Sequence, residues 1–202
     1  MTLRVSPPLS RRLSAFKACV RGIAAVEFAL IAPVILLMLV GAIEMSRAIN
    51  MDRRLSTVSS MIGDLISREK NLGSNPATTI AGMTRAIEHV MAPYDPSSLR
   101  LEIFPVMGFG TDGTQTKLYA PSYTYDNGSV SQDRARCTTY SLPAGLVGQG
   151  GSVIVVKATY QYEVLSFASW AFSDATWHDG STHSPRHACV DFEGNNCVVT
   201  CN

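Results

Sequence analysis

Twenty-one residues, Ile23 to Ile43, carry a single charge, Glu27, and separate a basic N-terminal stretch from a more polar remainder. At the helical rise this block spans about 31 Å, enough to cross a bilayer core of about 30 Å. After Ile43 the polarity changes but the helical period persists. Ala48, Met51, Leu55, Val58, Ile62 and Leu65 recur at 3-4-3-4-3 spacing, while Arg47, Arg54, Asp64 and Arg68 fall off that stripe. The pattern predicts one continuous helix over about 23–69, with Pro33 bending its apolar half. The second half offers a narrow seam to a local core or to another helix.

Asn71-Leu72-Gly73-Ser74-Asn75-Pro76 breaks the pattern. A second helix is expected from about Ala77 to Ala92, between Pro76 and Pro93, with Ile80, Met83, Ile87 and Val90 on its apolar face. The rest reads as strands and turns. Leu99, Leu101 and Ile103 alternate with Arg100 and Glu102. Pro121 restricts the tyrosine-rich stretch 117–125 to an edge or a bulge. The best strand is 153–164, where Ile154, Val156, Ala158, Tyr160, Tyr162 and Val164 share a face. Segments 108–113, 126–128 and 148–151 carry turn chemistry, Asp126-Asn127-Gly128 most clearly. The expected fold class is α+β: a long N-terminal transmembrane helix leading into a domain with a second helix and a small antiparallel sheet.

Charge sets the topology. The formal net charge is +1, but residues 1–22 hold Arg4, Arg11, Arg12, Lys17 and Arg21 and no acid. Removing those five from the 17 basic residues leaves 12 against 16 acidic ones, so the remainder is negative. A basic flank on the N-terminal side keeps that end in the cytoplasm and sends the C-terminal domain across. Nothing outside the basic stem suits a nucleic acid. Cysteine usage agrees. Cys19 lies in the stem, while Cys137, Cys189, Cys197 and Cys201 lie on the exported side, an even set that reads as two disulfides with three possible connectivities. Cys137 has to pair across at least 52 residues, tying the sheet to the tail whichever connectivity holds.

Glu27 is out of place in an ordinary anchor. A mid-helix acid costs about 2.5–3.5 kcal/mol on insertion scales, less near an end, so it needs a partner. Arg21-Gly22-Ile23-Ala24-Ala25-Val26-Glu27-Phe28 at the head of the apolar helix, with Pro33, Gly41, Glu44 and Arg47 farther on, resembles the TadE-like family of the tight-adherence (Flp/Tad) pilus system. The resemblance covers roughly the first 55 residues. It implies that a prepilin peptidase cuts between Gly22 and Ile23, leaving Glu27 fifth in the mature chain. It further implies that Glu27 and Phe28 serve assembly and recognition by other Flp/Tad pilus subunits and assembly proteins. Phe28 in place of the tyrosine common in major pilins, and a mature length of about 180 residues, favour a minor component.

The residues support this independently. A cut after Gly22 would create an ammonium on Ile23, one turn from Glu27 and on the same helical face. Near lipid, where water is scarce, the two charges stabilise each other far more than surface ions do. Glycine leaves the backbone uncrowded for a protease. The bland alternative is that Glu27 reaches the interface from one turn inside the span.

Val40-Gly41-Ala42 is a rival site, at which a signal peptidase would release a soluble domain, but Glu27 and Pro33 interrupt the required apolar run. His178, His183, His187 and Cys189 lie near Trp177 in what reads as a polar loop. Their spacing matches no standard metal pattern, and Cys189 is wanted for a disulfide. Asn127-Gly128-Ser129 fits a glycosylation sequon but reads better as a turn. No catalytic constellation is apparent, and neither cofactor nor metal is expected.

The expected organisation is a cytoplasmic leader (1–22), a transmembrane helix (23–43), a membrane-proximal extension (44–70) and a periplasmic α+β domain (71–202). The expected function is that of a minor pilin or pseudopilin in the inner membrane, or in the pilus itself. An uncleaved, membrane-anchored periplasmic binding domain is the alternative.

Overall fold

The computed structural model describes residues 21–109, 115–197 and 201. The expected stem, Cys19 included, and the turn segment around 110–113 lie outside the described residues. The chain divides into two compact units, residues 1–46 and 47–202. Helix α1, Arg21–Arg68, is unbroken through Pro33 and contributes to both.

In the first unit the described chain is this helix alone. Its apolar side chains are exposed, with Leu30 and Met38 about 70% accessible (72% and 70%). Its apolar stretch is long enough to cross a membrane, and none of that stretch is covered by protein.

In the second unit the α1 stripe is buried as the spacing predicts. Met51, Leu55, Val58 and Ile62 are fully covered. The stripe then steps four residues to Ile66, leaving Leu65 half-buried. The expected second helix is two short ones, α2 (Pro76–Thr84) and α3 (Ile87–Met91). Arg85 and Ala86 between them keep right-handed helical dihedrals, so one turn of hydrogen bonding is lost without a change of backbone region. Pro76 opens α2, and the Asn75 side chain accepts from the Thr78 N–H, as an N-cap does. The buried positions are Ile80, Thr84, Ile87 and Met91.

Six antiparallel strands form one sheet: β1 (Leu99–Phe109), β2 (Gln115–Leu118), β3 (Tyr123–Asp126), β4 (Ser129–Gln132), β5 (Ser152–Tyr162) and β6 (Ala175–His183). Their order is β4-β3-β1-β5-β6, with β2 also paired to β1 beyond the end of β3. The tyrosine-rich stretch splits into β2 and β3 around Pro121, which lacks the N–H a ladder requires. Asn127 and Gly128, both at positive φ (45° and 80°), make the tight β3–β4 turn. β5 ends at Tyr162, short of Val164.

Alternation along the two long central strands sorts their side chains to two faces. Leu99, Leu101, Ile103, Ile154, Val156, Ala158, Tyr160 and Tyr162 join the helices in the main core. Phe104, Val106, Val153 and Val155 pack with Leu118, Tyr140 and Val147 in a smaller cluster on the opposite face.

One expectation is corrected. Residues 175–183, read as part of a polar loop, are β6, paired with β5 over its whole length from Ile154–His183 to Tyr162–Ala175.

Candidate functional site

Gly22, Ile23, Glu27 and Phe28 all lie on α1, and all but Ile23's neighbour Gly22 carry long side chains that remain exposed. Ile23 and Phe28 are 59% and 68% accessible. Ile23 and Glu27 are one helical turn apart, hence on one face. A Cβ placed on Gly22 would meet no heavy atom within 4 Å. Packing among the described residues therefore does not require glycine at this position.

The four C-terminal cysteines form two pairs, Cys137–Cys201 and Cys189–Cys197. The first closes a separation of 64 residues and joins the segment after β4 to the tail; the second closes eight. Inside the small loop Asp191 is buried and accepts backbone N–H groups from Glu193 and Asn195 (both 3.1 Å) and Asn196 (2.9 Å). Burial pushes its carboxyl pKa up, but these donors and Gly194 outweigh burial and hold it below the usual value. The loop is fixed to the body by Tyr119. Its hydroxyl donates to the Val190 carbonyl at 3.1 Å and accepts from the Val190 N–H at 3.3 Å.

A pocket of about 260 Å³ opens in the second unit, lined by Arg47, Tyr94, Asp95, Tyr160, Tyr162 and the start of the β5–β6 loop, Val164 to Ser166. The Tyr94 hydroxyl donates to the Arg47 carbonyl at 2.7 Å, and the Arg47 guanidinium lies 5.8 Å over the Tyr162 ring. The Ser97 backbone N–H, 2.9 Å away, holds the Asp95 carboxyl below its usual pKa. Burial, then the Asp95 charge, push the Tyr160 phenol up. These groups make a half-open polar hollow, without an arrangement of nucleophile and base.

The histidines do not converge. His178 and His183 alternate to opposite faces of β6: His178 Nδ1 meets Thr159 Oγ1 at 3.1 Å, and the His183 ring lies against Gly63. His187 is exposed, and the Cys189 sulfur is bonded to Cys197.

A family described as TadE-like protein matches the chain over residues 22–63. This segment is similar to that family. The matched segment opens at Gly22, contains Ile23, Glu27 and Phe28 with the whole apolar block, and runs through the buried stripe to Gly63. The match connects the chain with Tad pilus proteins. No match was found among curated proteins or among solved structures. Sequence reasoning passed over the loop between β5 and β6. The signal was there, in the aromatic spacing of Phe167, Trp170 and Phe172 between two acids, Glu163 and Asp174.

Proposed function

We propose that the chain is a minor pilin or pseudopilin of a Flp/Tad-type pilus. Residues 1–22 are its cytoplasmic leader, 23–43 its single span of the inner membrane, 44–70 the extension of that helix, and 71–202 its periplasmic domain. Prepilin peptidase removes the leader between Gly22 and Ile23, and the new ammonium on Ile23 pairs with Glu27 of the same or a neighbouring subunit. Glu27 and Phe28 then set the register of helix packing with other pilus subunits and assembly proteins. The role is structural rather than catalytic.

The observation that carries this reading is the TadE-like match beginning at Gly22, with the intramembrane acid one turn past the proposed new terminus. Two further features support it. Among the described residues, the head of α1 is exposed, as a surface meant for lipid or another helix would be, and nothing lies within 4 Å of a Cβ placed on Gly22. The test is Gly22→Leu. Precursor of full length should accumulate in the native host while the folded domain is unchanged. A variant processed to the same mass as wild type would contradict the assignment.

A further inference from the structure

Among the described residues past Ile49, the large apolar side chains left exposed are Leu146, Phe167 and Trp170. Phe167 and Trp170 belong to one loop, residues 163–174, and are 58% and 73% accessible. The loop is built rather than loose. The Ala168 N–H donates to the Leu165 carbonyl at 2.7 Å, and the Ala171 and Phe172 N–H groups both donate to the Ala168 carbonyl at 2.9 and 3.0 Å. Ala168 is fully buried beneath these turns, and Asp174 accepts from the Val164 N–H at 2.9 Å, closing the base. A side chain as costly to expose as tryptophan, held outward on an ordered loop, marks a contact surface.

The position of the loop within the second unit says what the contact is. Val164, Leu165 and Ser166 line the same pocket as Arg47. Arg47 is four residues past Ile43, the last residue of the apolar block, so it lies within about 14 Å of that block even on a fully extended chain. The end of the unit that bears Phe167 and Trp170 is therefore the end from which the chain enters the apolar block. Tryptophan and phenylalanine on a loop whose first residues line the pocket of Arg47 suit an interfacial anchor: the indole would sit among headgroups with its N–H toward water, while the phenyl ring would reach the acyl boundary. The flanking acids Glu163 and Asp174 stay at the base of the loop, so insertion relies on the rings rather than on attraction to anionic lipid.

We infer that Phe167 and Trp170 insert into the lipid interface next to the membrane-spanning helix, giving the exported domain a second, peripheral foothold on the bilayer. The inference rests on the reading of residues 23–43 as a membrane span.

The chain has two tryptophans, Trp170 and Trp177, so Trp177→Phe leaves Trp170 as sole reporter and Trp170→Phe leaves Trp177. The full chain, reconstituted in phosphatidylcholine/phosphatidylglycerol vesicles, is compared with the same vesicles containing dibromo-phosphatidylcholine. Trp170 should lose emission to brominated lipid and become shielded from aqueous iodide; half-buried Trp177 should not respond to brominated lipid. Should Trp177→Phe fold poorly, the unmutated chain still reports, as a partial loss. Carbonate-washed flotation of the same vesicles separates the two levels. A chain that floats while Trp170 ignores brominated lipid overturns the loop anchor and leaves the span intact. Shielding from iodide without bromolipid quenching means that protein, such as a second copy, covers the loop, and overturns it too. A chain that does not float overturns both.

Discussion

Ser59 Oγ donates to Asp179 Oδ2 at 2.7 Å, joining the C-terminal part of α1 to the middle of the edge strand β6 across 120 residues of sequence. The same seam carries a second bond, from Ser181 Oγ to the Ser59 carbonyl at 2.8 Å, and the packing of the His183 ring on Gly63. β6 is thus held on the core by polar groups directed at a helix, rather than by the apolar alternation that holds β5. An inward-facing charge on an edge strand also discourages pairing with other chains.

That seam predicts a size limit at Gly63. Any Cβ there would press into the His183 ring, so Gly63→Leu should destabilise the folded chain by about 1–3 kcal/mol despite leucine's better helix propensity. Combining it with His183→Ala should restore part of the loss, because the ring that must move is gone. Thermal unfolding of the single and double variants in detergent measures the coupling; strictly additive losses would show that the two residues do not meet.

The same seam explains what was legible in the sequence. Leu99, Leu101 and Ile103, and Ala158, Tyr160 and Tyr162, announced their strands because there the intervening residues are less buried and the period is two, whereas Val153 to Val156 are buried on both faces. The α1 stripe, Pro121 and Asn127-Gly128 were equally readable, each through a local steric rule. β6 was not, since its inward residues Trp177, Asp179, Ser181 and His183 are mostly polar, and Asp179 and Ser181 find their hydrogen-bond partner more than a hundred residues away. The pairing of the cysteines was likewise a tertiary fact, as spacing left three choices open. Gly22, Ile23, Glu27 and Phe28 were singled out by charge placement and resemblance, whereas the aromatic spacing of the β5–β6 loop gained meaning only once the fold set the start of that loop in the pocket with Arg47.

The two disulfides should contribute unequally. Loop-closure entropy gives about 4 kcal/mol for the 64-residue Cys137–Cys201 link and about 2.5 kcal/mol for the eight-residue Cys189–Cys197 link. Cys201→Ser should therefore lower the unfolding midpoint more than Cys197→Ser. Alkylation under denaturing, non-reducing conditions should leave Cys137, Cys189, Cys197 and Cys201 unmodified in the wild type; four reactive thiols would remove this assignment.

Asp191 makes the stability of the tail depend on acid. Its folded pKa lies below the ordinary value of 3.8, so its contribution is fully present above that pH and fades as pH falls through the folded value. Asp191→Asn should cost about 1–3 kcal/mol at neutral pH, since buried N–H donors lose a charged acceptor. The gap between variant and wild type should narrow below pH 3.8. A gap independent of pH would mean that the carboxylate charge is irrelevant to the loop.

Glu27→Gln keeps the size and hydrogen-bonding capacity of the side chain but removes the charge that would meet a new terminus. Processing should continue, while pilus assembly falls sharply, scored by surface pili in a strain carrying the variant. Wild-type piliation would remove Glu27 from any role in register.

Protein recovered from the native host's membranes, measured by intact mass and by sequencing of its first residues, tests the account most directly. A chain beginning at Ile23 is the predicted result, with its free amine one turn from Glu27. A chain still beginning at Met1, or one beginning at Ile43, would contradict it.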